Sequence, residues 1–300
     1  MKPKLQTAVI GLGSMGYGMA ASLLRAGHIV HGIDIAEEPK ARFLAEGGAP
    51  GELAEIADRL DAAVIVVLNS AQVENILFGA DGLVQRLRKG ALVMACATQA
   101  PDAARDQARR CEEAGLLYLD APISGGSAKA ASGALSIMAS GSAEAFTAAR
   151  PLLDATAETV FELGAEPGQG SAMKSVNQML AGIHIAAMAE AVAYGISQGI
   201  PPDQFLAVIR KCAGTSWMLE NRAPHIVEGD YTPHSAVDIW LKDLGIVLDT
   251  AKGAKIPAPI TATALQQFIA ASGQGLGRED DAAVVKVYAR NAGLKLPGGH

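Results

Sequence analysis

Apolar, strand-like runs alternate with helical patterns through the first half of the chain. The runs lie at 8–10, 29–33, 61–68, 91–97 and 116–120, and a stretch of helical character follows each. Unbroken apolar runs rich in β-branched residues are typical of parallel strands that are covered on both faces. The alternation predicts an α/β fold with a doubly wound parallel sheet, which binds its ligands beyond the carboxyl ends of the strands.

The first domain is predicted to end with a strand at 135–139 and a helix that runs from Ser142 to near Phe161. A cluster of Pro and Gly at 166–170 then breaks the pattern. We therefore predict two domains, 1–165 and 166–300.

The second domain is predicted to be all-helical. Its first helix, 171–198, is apolar almost all round and should therefore be buried between the domains. Pro224 and Pro233 are interpreted as breaks, and further helices are predicted from 201, over 236–251, from 257 and over 278–289.

A glycine-rich turn joins the first strand to the first helix. Gly11 permits a tight turn, Gly13 lets a pyrophosphate approach the backbone, and Gly16 lets the helix pack close to the strand. Leu12, Ser14 and Met15 complete this loop, GLGSMG. Free N–H groups at the start of a helix bind anions. The combination of strand, glycines, helix and second strand predicts a Rossmann-type dinucleotide site, the alternative being a glycine-rich turn of another α/β protein.

The second strand ends at Asp34, which bears on the choice of cofactor. A carboxylate there accepts hydrogen bonds from the ribose hydroxyls and repels a 2′-phosphate. Residues 35–38 offer no arginine for such a phosphate. NAD is therefore predicted, unless Asp34 is only a solvated turn residue.

The composition argues against a nucleic-acid partner and favours a cytoplasmic protein. Half of the 300 residues are hydrophobic, and the net charge of −6 comes without a basic cluster that would suggest nucleic-acid binding. Cys96, Cys111 and Cys212 fit no disulfide or metal pattern and are predicted to be reduced, buried thiols of a cytoplasmic protein. We expect no leader and no membrane helix, since the most apolar long segment, 181–196, falls short of the roughly 20 residues of a membrane span.

Polar residues after three later strands are candidates for the same edge of the sheet. Leu68–Asn69 and Thr98 end two strands, and Ser124-Gly125-Gly126 follows a third. Successive N–H groups at the two glycines, with the Ser124 hydroxyl, form a nest for a carboxylate. A flexible hinge before a hairpin explains the glycines equally well.

Lys174 is the candidate acid/base for the oxidation of an alcohol. Asn177 and Gln178 follow at helical spacing on the same face. Removal of an amine from water favours its neutral, proton-accepting form. Alternatively, Lys174 extends from a helix end into solvent. Lys242 and Asp243 form a charged pair in an apolar helix, either at a cofactor cleft or as an ordinary surface ion pair. No residue cluster in the sequence suggests a metal site.

Four motifs occur in order along the chain: GLGSMGYGMA, DAPISGG, GQGSAMKSVNQ and LKDL. They resemble motifs of the β-hydroxyacid dehydrogenase family, which includes the 3-hydroxyisobutyrate dehydrogenases. The resemblance implies that Lys174 is the acid/base, that Ser124, Gly125 and Gly126 bind the substrate carboxylate, and that Asn177 positions its hydroxyl. It also implies that Thr98 and Lys242 lie against the nicotinamide half of NAD.

Within this family, several stretches resemble the L-threonate dehydrogenases, among them AGTSWMLENR and GDYTPHSAVDIWLKDLG. One departure is Asn177, where threonate-type sequences have His. The expected reaction is NAD-dependent oxidation of a short sugar acid, and L-threonate is the favoured substrate. 3-Hydroxyisobutyrate oxidation, tartronate semialdehyde reduction and NAD binding without turnover are the alternatives. We expect a homodimer or homotetramer.

Overall fold

The structure, a computed structural model, describes residues 4–298. These residues separate into two compact units that divide after Lys174. The predicted boundary at 165/166 lies in the turn that precedes the helix containing this division, and we retain it as a proposal.

The first unit is built on one sheet of eight strands in the order β2-β1-β3-β4-β5-β7-β6, with β8 paired to β7. Strands β1 to β5 are parallel, whereas β7 runs antiparallel to both β5 and β6. The strands are β1 Gln6–Ile10, β2 Ile29–Ile33, β3 Ala62–Ile65, β4 Leu92–Ala95, β5 Leu117–Asp120, β6 Ile123–Ser124, β7 Leu135–Gly141 and β8 Ala157–Glu162.

Helices cover both faces of this sheet, as the unbroken apolar runs predict. Successive residues of β3 show the two faces, because Val64 packs in one apolar core and Ile65 in another. The helices are α1 Gly16–Arg25, α2 Glu37–Ala45, α3 Leu53–Ile56, α4 Ser70–Phe78, α5 Pro101–Glu113, α6 Gly126–Ser132 and α7 Ala143–Thr156.

The second unit is helical and has its own core. Trp240 stacks on Phe268 with ring centroids 5.5 Å apart, and both side chains are buried. The helices are α8 Gln169–Ser197, which begins in the first unit, then α9 Pro202–Ile209, α10 Trp217–Glu228, α11 Val237–Gly253, α12 Pro259–Ala271 and α13 Val284–Ala292.

Several local predictions were wrong. The helix predicted to reach Phe161 ends at Thr156, and 157–162 forms β8, because β7 offers a strand partner that the sequence pattern does not reveal. Pro224 lies inside α10, where burial of Leu219, Ala223 and Ile226 offsets the roughly 3 kcal/mol cost of an interior proline. Cys212 is exposed, although Cys96 and Cys111 are buried as predicted.

Helix α8 is not apolar and buried on every side. Val176, Leu180 and Tyr194 are exposed along it, at spacings that fall on one face of a helix. Within residues 4–298, α8 alone meets the length and composition criteria for a membrane span. A core helix meets the same criteria, and 44% of the apolar window of α8 is buried.

Candidate active site

In the loop after β1, two glycines are needed for the packing of the fold, and a third leaves room for a ligand. A Cβ on Gly11 would lie 2.2 Å from the Val66 carbonyl oxygen, and one on Gly16 would lie 1.8 Å from that of Gly11. These two glycines are therefore required by the packing of strand and helix. A Cβ on Gly13 would meet nothing within 4 Å. Gly13 leaves open space beside the backbone, as the close approach of a pyrophosphate requires.

Asp34 fastens this loop to the end of β2. Its Oδ2 accepts a hydrogen bond from the Leu12 N–H at 2.6 Å, and its Oδ1 accepts one from the Ala36 N–H at 2.9 Å. A carboxylate oxygen can accept more than one hydrogen bond, so ribose hydroxyls can still bind there. Asp34 thus both holds the loop by hydrogen bonds to its backbone and is a candidate ligand of the ribose.

A cavity of about 720 Å³ lies over the loop and α2. Its volume falls within the range of small-molecule sites. Its lining combines small residues of the loop with polar and charged side chains, including Gly13, Ser14, Tyr17, Asp34, Glu38 and Arg42. The lining suits the adenosine half of a dinucleotide, because it offers both the backbone of the glycine loop and a carboxylate.

Apart from Lys242 on α11, the other residues predicted to contact the cofactor follow β3 and β4 or directly precede α1. Met15 is the residue before the first turn of α1. The Leu68 N–H donates to Gln72 Oε1 at 2.8 Å, and Asn69 Oδ1 caps α4 by accepting from the Gln72 N–H at 2.9 Å. Thr98 follows β4 and is half-buried. These positions lie after the carboxyl ends of parallel strands, although Asn69 already uses its carbonyl oxygen within the protein.

Ser124, Gly125 and Gly126 form a sharp turn between β6 and α6. Gly125 has φ +133° and Gly126 has φ +80°, in a region that residues with a Cβ rarely adopt. The sequence allowed two interpretations of these glycines, a nest for a carboxylate or a hinge before a hairpin. In the structure the short helix α6 follows the turn directly.

Helix α8 begins directly on the sheet through the buried carboxylate of Asp120. Asp120 Oδ2 accepts from the N–H groups of Gly168 at 2.9 Å and Ser171 at 2.8 Å, and Oδ1 accepts from the Ser171 hydroxyl at 2.7 Å. An anion at the start of a helix is stabilised by the helix dipole. Burial nevertheless raises the pKa of Asp120 above its ordinary value, with the hydrogen bonds opposing this shift.

Lys174 lies one helical turn after Ser171 and is only 7% exposed. The hydrogen bonds between Ser171 and Asp120 therefore hold the helical turn that carries Lys174 at the carboxyl end of β5. The lysine is buried and does not extend into solvent from the helix end.

Asn177, Gln178, Lys242 and Asp243 form a polar cluster inside the second unit. Asn177 Nδ2 donates to Gln178 Oε1 at 2.9 Å, and Gln178 Nε2 donates to Asp243 Oδ2 at 2.5 Å. Lys242 Nζ lies 2.5 Å from Asp243 Oδ1. The buried Asp243 is thus paired by a cation and an amide, and the helix pair α8 and α11 holds the cluster.

Comparisons with known proteins cover nearly the whole chain. Residues 6–164 match the family model of the NAD-binding domain of 6-phosphogluconate dehydrogenase, and residues 168–288 match that of the NAD-binding region of NADP-dependent 3-hydroxyisobutyrate dehydrogenase. The chain belongs to the 3-hydroxyisobutyrate dehydrogenase family.

Individual relatives agree with this assignment. The L-threonate dehydrogenase of Cupriavidus necator is 52% identical over 97% of each chain, and that of Escherichia coli K12 is 48% identical over 98% of this chain and 97% of its own. The crystal structure of a 3-hydroxyisobutyrate dehydrogenase from Salmonella typhimurium is 48% identical, with a TM-score of 0.88 over 95% of this chain and all of that one.

Membership of the 3-hydroxyisobutyrate dehydrogenase family confirms several predictions from the sequence. The chain is an NAD-dependent dehydrogenase of the hydroxy-acid type, its substrate is a small hydroxy acid, and its fold is the predicted Rossmann domain with a helical second region. Among residues 4–298, no group of three potential ligands has the placement of a metal site.

Sequence reasoning missed two residues of this family member's candidate site. Arg42 lines the same cavity as Asp34, although it lies outside the segment 35–38, which offers no arginine. The signal was the spacing of Glu38 and Arg42, which are four residues apart and share a face of α2. Asp120 is the last residue of the strand predicted at 116–120 and was assigned no role. The available sign was an acid at the end of an otherwise uncharged strand.

Proposed function

We propose that this protein oxidises L-threonate at C2 to the 2-oxo acid with NAD as the hydride acceptor. The observation that carries the proposal is the buried Lys174, held one turn from the Asp120 contacts at the carboxyl end of β5. The similarity to L-threonate dehydrogenases at 47–52% identity supports the choice of substrate.

Lys174 acts in this proposal as the general base. Its neutral amine accepts the hydroxyl proton while hydride leaves C2, so that the alcohol becomes a ketone and the lysine becomes an ammonium ion. Nicotinamide supplies the hydride acceptor when NAD is bound. The proton then leaves Lys174 to solvent before the next turnover.

The turn of Ser124, Gly125 and Gly126 holds the substrate carboxylate. Its backbone conformation, which needs glycine at two positions, supports this assignment, and the Ser124 hydroxyl supplies a donor. Asn177 is assigned to the substrate hydroxyl, and Thr98 and Lys242 to the nicotinamide half of NAD. Leu68 and Asn69 remain assigned to the cofactor, as do Met15 and the rest of the glycine loop.

3-Hydroxyisobutyrate is the second candidate substrate, because the similar crystal structure from Salmonella typhimurium is of a 3-hydroxyisobutyrate dehydrogenase. A methyl-bearing substrate would leave polar groups of a polyol site unpaired, which disfavours it. Asn69 contributes little to this argument despite its polar side chain, because its side-chain carbonyl oxygen already caps α4.

The two substrates are separated by initial rates of NADH formation. The screen uses L-threonate, 3-hydroxyisobutyrate and glycerate, at matched concentrations. The proposal requires the highest kcat/KM for L-threonate. A higher value for 3-hydroxyisobutyrate would replace the substrate and keep the mechanism, whereas tight NAD binding without turnover of any hydroxy acid would contradict both.

Replacement of the base tests the mechanism directly. We expect Lys174→Ala to lower kcat by roughly 10²–10⁴-fold, because the hydroxyl proton loses its acceptor. NAD affinity, measured by calorimetry, should change less than about twofold. Lys89→Ala, at an exposed lysine of the same unit, is the control and should keep full turnover. Near-normal kcat in Lys174→Ala would refute the role.

We also propose that the protein is a cytoplasmic homodimer or homotetramer without a nucleic-acid or membrane partner. The net charge of −6 supports the absence of a phosphate-backbone partner. The exposed apolar residues Val176, Leu180 and Tyr194 on α8 support self-association, because exposed apolar patches commonly mark interfaces.

A further inference from the structure

The cavity over the glycine loop contains both signs of charge. Asp34 and Glu38 line it together with Arg42. Two carboxylates and one guanidinium therefore line the space assigned to the adenosine half of NAD, and Glu38 is the one of the two that interacts electrostatically with Arg42. The arrangement repels a dianionic 2′-phosphate and accepts the donors of a ribose diol.

Arg42 is held in a defined orientation at this cavity. Its guanidinium carbon lies 3.7 Å from the centroid of the Tyr17 ring, within the range of a cation–π contact. Tyr17 in turn packs edge-to-face on Phe43, a fully buried residue of α2. An arginine stacked in this way keeps its planar edge available for hydrogen bonds to an anion.

We propose that Arg42 is a latent binding residue for a 2′-phosphate and that Asp34 and Glu38 suppress it. The preference for NAD over NADP is then a balance of charges in one cavity, and it does not reflect the lack of a suitable cation. This inference rests on dinucleotide binding at the glycine loop and is independent of the substrate and of Lys174.

Neutralisation of one carboxylate reverses the balance. Without the charge of Glu38 or Asp34, the guanidinium meets a 2′-phosphate with less competition and can bind it through two parallel hydrogen bonds. Glu38 is the cleaner position, because its side chain is exposed, whereas Asp34 also clamps Leu12 and Ala36.

The test uses two fragments of the cofactors, so that it needs no catalysis. Calorimetry gives the affinities of 5′-AMP and of adenosine 2′,5′-bisphosphate for the full chain and its variants. We expect Glu38→Gln and Asp34→Asn each to raise the bisphosphate-to-AMP affinity ratio, by about tenfold for Asp34→Asn. Adding Arg42→Ala to either variant should remove the gain. Lys89→Ala is the control, because Lys89 is an exposed lysine of the same unit that does not line the cavity.

Three results would overturn the proposal. The first is a gain that survives Arg42→Ala, and the second is an unchanged ratio in both Glu38→Gln and Asp34→Asn. The third is an equal loss of both fragments in Arg42→Ala, which would assign Arg42 to the adenine or to the fold. Failure of wild type to bind 5′-AMP would reject the cofactor site itself, whereas absent turnover with normal fragment binding would reject only the proposed reaction.

Discussion

Asp120 ties the chemistry of the first unit to its sheet. This acid is the last residue of β5 and pairs there with Ser140 of β7. It accepts hydrogen bonds from the N–H of Gly168, just before α8, and from the N–H of Ser171 in its first turn. The fit leaves little room, since a Cβ on Gly170 would lie 2.3 Å from the Met138 carbonyl oxygen. The position of Lys174 is therefore set by hydrogen bonds to one buried carboxylate, and by a glycine that allows the helix to touch the strands.

Asp120→Asn should damage both stability and turnover. An amide presents one acceptor and one donor, so at least one buried N–H or O–H that now donates to Asp120 loses its partner, at a cost of about 1–3 kcal/mol. We expect a lower free energy of unfolding and a lower kcat, with NAD affinity preserved. Denaturant unfolding and steady-state kinetics measure these quantities.

Ser171→Ala provides the matched comparison, because it removes the hydroxyl contact and keeps the backbone N–H contact. Its loss of unfolding free energy should be smaller than that of Asp120→Asn. An Asp120→Asn protein with unchanged kcat would show that these contacts do not position Lys174.

At the scale of elements, α11 is anchored at its start by two adjacent buried acids. Asp281 accepts from Arg222 Nε at 2.6 Å and from the Trp240 indole N–H at 2.9 Å. Asp280 accepts from the His234 N–H at 2.9 Å and lies 3.6 Å from His225 Nδ1. Because Trp240 is on α11, these contacts fix the helix that carries Lys242 and Asp243.

The pKa of Asp281 makes this anchor dependent on pH. Burial raises the pKa to about 6, with Asp280 adding to the shift and Arg222 opposing it. The folded state therefore holds a proton that the unfolded state releases, and this contribution to stability is lost as pH rises from about 4 to about 6. Relative to Asp281→Asn, wild type should lose up to about 3 kcal/mol of unfolding free energy over this range.

Chemical denaturation of both proteins at pH 4, 5, 6 and 7 measures this difference. The gap between the two unfolding free energies should stop changing above pH 6. A gap that stays constant from pH 4 to pH 7 would mean that Asp281 is ionised throughout.

The sequence predicted those elements whose pattern is determined by local burial. The strands up to β5 and the long helix α8 follow from unbroken apolar runs, because both faces of each strand are covered. The strand β8 was missed, since its polar and apolar residues depend on pairing with β7. Helix α6 was missed because Gly125 and Gly126 were interpreted only as a nest or a hinge.

The candidate site could be predicted in its motifs and less well in its side-chain contacts. Gly11, Gly13 and Asp34 could be proposed from the sequence because each serves a backbone geometry that spacing reveals. Arg42 and Asp120 were not assigned roles, because their importance depends on which residues a cavity or a helix start brings near them. Distances of this kind are absent from a linear pattern.

At the scale of the whole molecule, the exposed apolar face of α8 bears on assembly. Leu180 is 50% exposed at the middle of this face, between Val176 and Tyr194. We expect Leu180→Asp to reduce the molar mass in solution towards that of one chain, since a buried unpaired charge disfavours an interface. Light scattering after size-exclusion chromatography measures this mass.

Leu44→Asp is the control for the assembly prediction. Leu44 is similarly exposed, at 51%, but lies on α2 of the first unit. The mass of this variant should equal that of wild type. A wild-type mass equal to one chain would contradict the prediction, as would an unchanged mass for a folded Leu180→Asp protein.

The division of the chain after Lys174 has a practical consequence for redesign. The proposed proton acceptor remains with the nucleotide half when the two halves are recombined, because Asp120 and Ser171 of that half hold its helix. A chimera that joins residues 1–174 to the remainder of a relative with another substrate should retain its base and its choice of coenzyme. The junction must keep helical phase, since one inserted residue rotates everything downstream by about 100°.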